Sequence, residues 1–173
     1  MNQCRTYSVE SIAADRHKKD DMCCFLTEIS PAPMTATCPV SGTLSHRVQR
    51  RTVEHLIRSD RLSDIRDVQY YYCTDPDCRV VYFPGEQAPY FLVQDVTVKV
   101  LTKDTGDDVN VCYCFDWTRG RIKDEIRQSG KSTASVEIAG EIKAGSCACD
   151  IKNPRGECCL GDINSFVRRV VGT

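Results

Sequence analysis

Six of the twelve cysteines in this 173-residue chain lie close together in three pairs near its C-terminal end. The pairs are Cys112 and Cys114, Cys147 and Cys149, and Cys158 and Cys159. Thiolate is the soft ligand that iron-sulfur clusters, zinc and Cu(I) select, and four thiolates complete a 2Fe-2S or a tetrahedral site. The array therefore predicts a bound metal ion or cluster.

An even number of cysteines would also fit a disulfide framework, which is typical of short secreted chains. Residues 1–21 contain no apolar stretch of seven residues, so the sequence predicts no secretory signal and a cytoplasmic protein. In a reducing compartment, clustered cysteines are typical of metal ligands rather than disulfides. Adjacent cysteines also have poor geometry for bonding to each other, although they can share a metal. We therefore favour metal ligation.

The composition is that of a globular protein with a nearly neutral surface. Lysine and arginine number 23 against 24 aspartates and glutamates, which gives a net charge of -1 and argues against nucleic acid as a partner. No apolar run approaches the roughly eighteen residues of a membrane span. We therefore expect no nucleic-acid binding and no membrane insertion.

The chain divides into three parts, and we expect the fold class to be α+β. Residues 1–30 are polar without periodicity, which predicts a flexible arm in which Cys4 has no assigned role. We expect a small α+β module at residues 31–104 and a helical, cysteine-rich module at residues 105–173. The boundary between these modules is predicted in the polar turn cluster at 102–108.

In the α+β module, the apolar spacing of residues 50–60 predicts a short amphipathic helix. Residues 67–73 and 79–83 predict two strands of a hairpin whose loop has a cysteine at each end. Two further strands are predicted, at residues 90–93 and 96–101.

The helical module has three predicted helices. The first runs over residues 118–128, with Thr118 as its N-cap and Gly130 after its end. The second starts after Ser132 and stops at Gly145, and the third runs from an Asp162 N-cap to Val170. The cysteines thus fall in loops near helix starts, where backbone N–H groups can stabilise an anionic cluster.

Four motifs give these modules a family resemblance. In chain order they are TATCPVSG, YYYCTDPDCRVVYF, VCYCF and NPRGECCLGD. Together they resemble the N-terminal domain of the CopZ family of copper metallochaperones. The C-terminal array separately resembles the 2Fe-2S segment of bacterioferritin-associated-ferredoxin-like proteins. The resemblance covers roughly Ala36 to the C-terminus.

This resemblance implies a cytosolic metallochaperone that takes part in copper or heavy-metal handling through reduction or transfer of copper. It implies a zinc-binding module at 31–104, a 2Fe-2S module at 105–173, and Cu(I) as a further metal. The implied partner is a copper-exporting ATPase or another heavy-metal transporter, or a redox partner.

Within the resemblance, Cys112 and Cys114 are the first two cluster ligands, because each version of the motif begins with them. Cys149 is favoured as the third ligand because it directly precedes the DIKNPRGE loop. Cys147 is the alternative, since it better matches the spacing of the simpler ferredoxin domains.

For the fourth cluster ligand we favour Cys159. Apolar residues follow it one, four and seven positions later, as expected of a ligand at the start of a packed helix. Cys158 is the alternative. The unused Cys147 and Cys158 are interpreted as packing or outer donors to the cluster, or as an exchangeable Cu(I) site.

For zinc, the implied ligands are Cys38 in a turn-rich segment and Cys73 and Cys78 at the mouth of the hairpin. The related domains commonly have Cys-Pro-x-Cys where this chain has Ser41 in the last position, so the fourth ligand must be sought elsewhere. His55 is the favoured fourth ligand. The alternatives are His46, Asp75, Cys23 and Cys24, of which the adjacent cysteines could also capture a soft metal.

The sequence does not predict an enzyme, and no catalytic residue is assigned. It contains no glycine-rich phosphate loop, no recognisable nucleophile context and no Cys-x-x-Cys redox motif. The alternative to a metallochaperone is a stand-alone 2Fe-2S electron carrier, similar to a ferredoxin, without a role in copper handling.

Overall fold

Five antiparallel strands pair in chain order and form one sheet in the computed structural model, which describes residues 32–85 and 89–172. The strands are β1 (Thr35–Thr37), β2 (Leu44–Val48), β3 (Tyr70–Tyr72), β4 (Val80–Phe83) and β5 (Phe91–Leu92). The expected arm of residues 1–30, with Cys4, Cys23 and Cys24, lies outside the described residues.

The sheet separates two apolar layers, because side chains alternate between the faces of each strand. Tyr70 and Tyr72 pack in the layer that contains Val53 of α1 (Arg50–Leu56), the helix that the apolar spacing predicted. Tyr71 and Cys73 belong to the layer on the opposite face. The helix and the cysteines of this module therefore lie on opposite faces of the sheet.

The hairpin predicted from the two cysteine-flanked strands is confirmed, and β3 and β4 are its paired parts. The predicted strand at 90–93 is present in a shorter form as β5. The predicted strand at 96–101 is wrong, since only Val96 forms a single bridge, with Ile57 at the end of α1. Val96 and Val100 are buried in the core, and residues 96–101 form no strand of the sheet. The alternation of apolar and polar residues in this segment therefore reflects burial and not strand pairing.

The segment at 31–42 contains a strand that the sequence analysis missed. β1 and β2 form a second hairpin around the turn from Cys38 to Thr43, where the Cys38 amide donates to the Thr43 carbonyl at 2.9 Å. Gly42 has a φ of +74° in this turn, a conformation that glycine adopts without steric cost. Three-residue strands give too little alternation to be recognised from sequence.

The second half of the chain contains a short hairpin and four helices. The elements are β6 (Asn110–Cys112), β7 (Trp117–Thr118), α2 (Arg119–Ser129), α3 (Ala134–Lys143), α4 (Cys149–Lys152) and α5 (Leu160–Val171). The first two predicted helices are confirmed as α2 and α3. The Thr118 hydroxyl accepts from the Arg121 amide at 3.2 Å, and Gly130 takes the left-handed conformation after α2, as the capping signals predicted.

The predicted start of the third helix at Asp162 is wrong by three residues. α5 follows directly after Cys159, and Asp162 lies within its first turn. The Asp162 carboxylate forms an ion pair with Arg155 instead of capping the helix. The backbone therefore enters α5 immediately after a cysteine.

The two halves of the described chain contact each other through α1 and α4. The Thr52 hydroxyl donates to the Asp150 carbonyl at 2.6 Å, and Arg51 forms an ion pair with the Asp150 carboxylate. The buried Tyr82 hydroxyl donates to the Pro154 carbonyl at 2.8 Å. One side chain of the sheet, Tyr82, thus holds the loop between α4 and α5. The boundary expected between residues 104 and 105 stays a prediction about folding modules.

No helix within residues 32–85 and 89–172 is both long enough and apolar enough to cross a lipid bilayer.

Candidate metal centres

Three buried cysteines come together on the face of the sheet opposite α1. The Sγ atoms of Cys38, Cys73 and Cys78 all lie within 4.8 Å of one another. Sulfur atoms that bind one zinc ion at about 2.3 Å lie roughly 4 Å apart, so the three can share an ion. We call this group the three-thiol site.

Two turns position the three-thiol site. Cys38 directly follows β1, and its carbonyl accepts from the Gly42 amide at 2.8 Å, which closes the turn between β1 and β2. The Asp75 carboxylate accepts from the Asp77 amide at 2.9 Å and so orders the loop between the other two cysteines. The Lys103 ammonium donates to the carbonyls of Asp75 and Cys78 at 2.7 and 2.9 Å. A cation thus fixes this loop beside the thiols.

The Ser41 hydroxyl lies beside these sulfurs. Its Oγ lies 3.5 Å from the Cys73 Sγ, and it also forms a hydrogen bond with Cys38. The same oxygen accepts from the Thr43 amide at 3.3 Å, which holds the side chain in place. Ser41 stands where the related domains have a cysteine, and its hydroxyl lies within 3.5 Å of the Cys73 Sγ.

Burial raises the pKa of Cys38 and of Cys73, and hydrogen bonds to their sulfurs lower it. Burial alone would raise the pKa of Cys38, but hydrogen bonds from the Ser41 hydroxyl and from the Ser41 and Val40 amides hold this pKa below its ordinary value. Burial dominates at Cys73 and raises its pKa to about 11. Of these two thiols, Cys38 therefore becomes a thiolate more readily than Cys73.

The predicted fourth ligand, His55, does not lie with the three thiols. It is exposed in the last turn of α1, on the other side of the sheet, where it lines a cavity of about 240 Å³ with Asp116 and Lys152. The helix that carries His55 packs on the face of the sheet opposite the cysteines. Sequence spacing alone could not distinguish these faces.

The other described candidates do not join the three thiols in one ligand group. His46 pairs with Tyr72 across β2 and β3 and lines a different cavity. The Asp75 carboxylate accepts from the Thr43 hydroxyl at 3.2 Å and from a backbone amide. Among the cysteines, histidines and acidic residues of the described chain, only the three thiols form such a group. Cys23 and Cys24 lie outside the described residues.

Four further thiols meet in the core formed by the short hairpin and the helices. Cys112 ends β6, Cys114 lies in the hairpin turn, Cys149 begins α4 and Cys159 immediately precedes α5. The Sγ atoms of Cys114 and Cys149 are 3.5 Å apart, and the Cys159 thiol donates to Cys112. The four thiols therefore form two pairs, each joining the hairpin to a helix start.

Backbone amides point at these sulfurs. The Ala148 amide donates to the Cys114 Sγ at 3.3 Å, and the amides of Cys114 and Phe115 donate to Cys112. Hydrogen bonds to sulfur favour the thiolate and tune the potential of a bound cluster. The short hairpin thus provides both ligands and donors.

The pKa values of Cys112 and Cys159 shift in opposite directions. The hydrogen bond from the Cys159 thiol lowers the pKa of Cys112 to about 6, against the effect of burial. The same bond, together with burial, raises the pKa of Cys159. Burial raises the pKa of Cys149 to about 11. Without metal, one thiolate of this group is therefore already stabilised.

Cys147 and Cys158 are exposed, whereas their neighbours Cys149 and Cys159 are buried in the core. The structure thus brings the favoured members of each pair together with Cys112. The exposure of the other two does not fit their interpretation as buried packing residues.

One residue of the hairpin turn was missed by sequence reasoning. Asp116 has a φ of +51°, the only positive value among described residues other than glycine. Its carboxylate lies 3.5 Å from the Asn110 side-chain amide. Aspartate tolerates the left-handed region better than most residues, so the Phe-Asp-Trp sequence after Cys114 was the available signal for a tight turn.

Comparison with known proteins finds relatives for most of this region. Residues 35–97, which include the three-thiol site, match the CopZ-type family described as a zinc binding domain. The copper chaperone CopZ of Archaeoglobus fulgidus is 33% identical over 122 residues, which cover 70% of this chain and 57% of that protein. The chain therefore spans little more than half of this relative.

A solved structure extends the comparison to the fold. The X-ray structure of the Archaeoglobus fulgidus CopZ N-terminal domain matches with a TM-score of 0.61 and 32% identity. The match covers 75% of this chain and 95% of the solved one. The mixed α and β architecture is thus shared with that domain. The predicted ferredoxin-like character of the C-terminal module stays a prediction.

Proposed function

Because the chain belongs to the family of CopZ N-terminal domains, we propose that it is a metallochaperone that binds zinc and a 2Fe-2S cluster and handles copper. The observation that carries this proposal is that seven thiols meet in two groups, and six of these thiols are buried while Cys114 is half-buried. Such a concentration of soft ligands has little use in an ordinary core.

Zinc is assigned to the three-thiol site. The residues that would hold it are Cys38, Cys73 and Cys78, and thiolates are the ordinary ligands of structural zinc. The ion would join β1 to the hairpin of β3 and β4, which have only a thin apolar layer on this face. Binding energy at such a site becomes folding energy.

The 2Fe-2S cluster is assigned to Cys112, Cys114, Cys149 and Cys159. A cluster of this type takes four thiolates, two on each iron, and the four sulfurs lie in two pairs. We propose that Cys114 and Cys149 bind one iron and that Cys112 and Cys159 bind the other. The backbone amides that point at the sulfurs would stabilise the negative charge of the cluster.

A bound cluster would supply one electron once a redox partner has reduced it, which is what the conversion of Cu(II) to Cu(I) requires. The protein's own residues contribute the thiolates, the amide donors and the exclusion of water from the buried pairs. A copper-exporting ATPase or another heavy-metal transporter is the proposed receiver of the copper. A cytoplasmic location follows from the same proposal.

Copper retention distinguishes this function from that of a stand-alone 2Fe-2S electron carrier. The protein, purified without oxygen, is mixed with Cu(I), desalted in the presence of a competing Cu(I) chelator and analysed for copper and iron. A metallochaperone should keep at least about one copper per chain. Complete loss of copper with the iron content unchanged would contradict the copper role and favour the electron carrier.

A further inference from the structure

The three-thiol site has a hydroxyl where a closed site would have a fourth strong ligand. Closed structural zinc sites have four protein ligands, whereas a site with three keeps a position that solvent or another ligand can occupy. Ser41 Oγ lies 3.5 Å from the Cys73 Sγ, so this hydroxyl is placed beside the thiols. A neutral hydroxyl binds zinc more weakly than a thiolate does.

The turn from Cys38 to Thr43 is more exposed than the thiols beside it. Ser41 in this turn is half-buried. Val40 and Leu44 beside it are 61% and 62% exposed. Exposed residues of this turn therefore lie close in sequence to the buried Cys38.

We propose that Cys38, Cys73, Cys78 and Ser41 form an exchangeable soft-metal site, at which Cu(I) displaces zinc. This inference rests on the proposed binding of zinc to the same thiols. Three thiolates are enough to coordinate a monovalent soft ion such as Cu(I), whereas zinc in a structural site takes a fourth ligand. The exchange is a ligand substitution without electron transfer, in which Cu(I) takes the thiolates and the zinc ion leaves.

Lys103 supports the exchange electrostatically. Replacing a divalent ion by a monovalent one leaves the site with one more negative charge. The Lys103 ammonium, bound to the carbonyls of Asp75 and Cys78, lies beside the loop that carries this charge. The loop can therefore hold its shape around either ion.

The test measures zinc release. Zinc-loaded protein with Cys147→Ser and Cys158→Ser as background receives one equivalent of Cu(I) without oxygen, and a chromophoric zinc chelator reports the freed ion. We expect release from this protein, and release at least about tenfold slower when Ser41→Cys adds a fourth thiolate. Ser41→Ala should release zinc as fast as the parent or faster.

Val40→Cys is the matched control, because it adds a thiol to the same turn at an exposed position. It should behave as the parent does. Cobalt substitution gives a second readout that does not depend on rates: the thiolate-to-cobalt absorption should increase in Ser41→Cys and stay unchanged in Val40→Cys.

Two outcomes would count against different statements. Normal zinc content with no release by Cu(I), and no effect of Ser41→Cys, would overturn the exchangeable site and indicate a fourth ligand from another part of the chain. Absence of zinc or cobalt binding in the parent protein would overturn the zinc assignment of the proposed function itself.

Discussion

The sulfur atoms of Cys114 and Cys149 lie 3.5 Å apart, although 35 positions separate these residues in the sequence. The contact joins the turn of the short hairpin to the first residue of α4. Cys112 and Cys159 form the corresponding contact between β6 and the start of α5. Two hairpin thiols and two helix-start thiols thus form one group, in which only Cys114 is half-buried and the other three are buried.

Replacing a thiol of this group should remove the cluster. We expect Cys112→Ser and Cys114→Ser to abolish the visible absorption and the iron content of protein purified without oxygen, since a 2Fe-2S cluster takes four thiolates. Cys147→Ser is the control, because this thiol is exposed and should leave both values unchanged. Retention of a full cluster in Cys112→Ser would refute the ligand assignment.

Loss of a zinc ligand should affect the zinc content and the stability of the fold, and not the visible colour. Cys73→Ser should release zinc and lower the free energy of unfolding by more than about 2 kcal/mol, because metal binding energy contributes to folding. The visible colour should remain. Denaturant titration with metal analysis checks both expectations, and chelation of zinc from the unchanged protein should reproduce the destabilisation. Loss of colour together with zinc would show that the two sites are not independent.

The buried bond between Tyr82 and Pro154 should stabilise the loop that leads to the last two cysteines. Tyr82→Phe leaves the Pro154 carbonyl without its donor, which should cost about 1–3 kcal/mol. Tyr71→Phe is the matched control, because its hydroxyl donates to Pro33 at a partly exposed position, and it should cost less than about 1 kcal/mol. Urea unfolding measures both. Equal effects would contradict the importance of burial.

The backbone of Asp116 should restrict which residues this position accepts. A β-branched residue is unfavourable at a φ of +51°, so Asp116→Val should cost about 1–2 kcal/mol, whereas Asp116→Gly should be nearly neutral. Thermal unfolding of the two variants checks the difference. If valine and glycine prove equally stable, the turn has a different conformation in solution.

Short-range signals were enough to predict several elements. Thr118 and Gly130 marked the ends of α2, and the loop between Cys73 and Cys78 marked the hairpin of β3 and β4. The missed and wrong elements are those whose pairing depends on distant partners. Val96 and Val100 alternate with polar residues, yet within the described part of the chain Val96 forms only a single bridge, with Ile57.

In the candidate sites too, some features follow from the local sequence and others depend on how distant segments pack. The spacing of the cysteines indicated metal ligands, and the family resemblance placed Cys38, Cys73 and Cys78 in one set, which the fold brings together. Which face of the sheet carries His55 depends on how α1 packs, and no local pattern contains that information. The approach of Ser41 to Cys73 likewise depends on two hairpins that meet only in the folded chain.

Metal analysis of the unchanged protein, combined with electron paramagnetic resonance after reduction, tests the central claim most directly. Protein purified without oxygen should contain about two iron, two inorganic sulfide and one zinc per chain, and it should give the signal of a reduced 2Fe-2S cluster. A colourless protein that contains zinc but no iron or sulfide would contradict the account, because the thiols around Cys112 would then bind zinc or another soft metal instead of a redox centre.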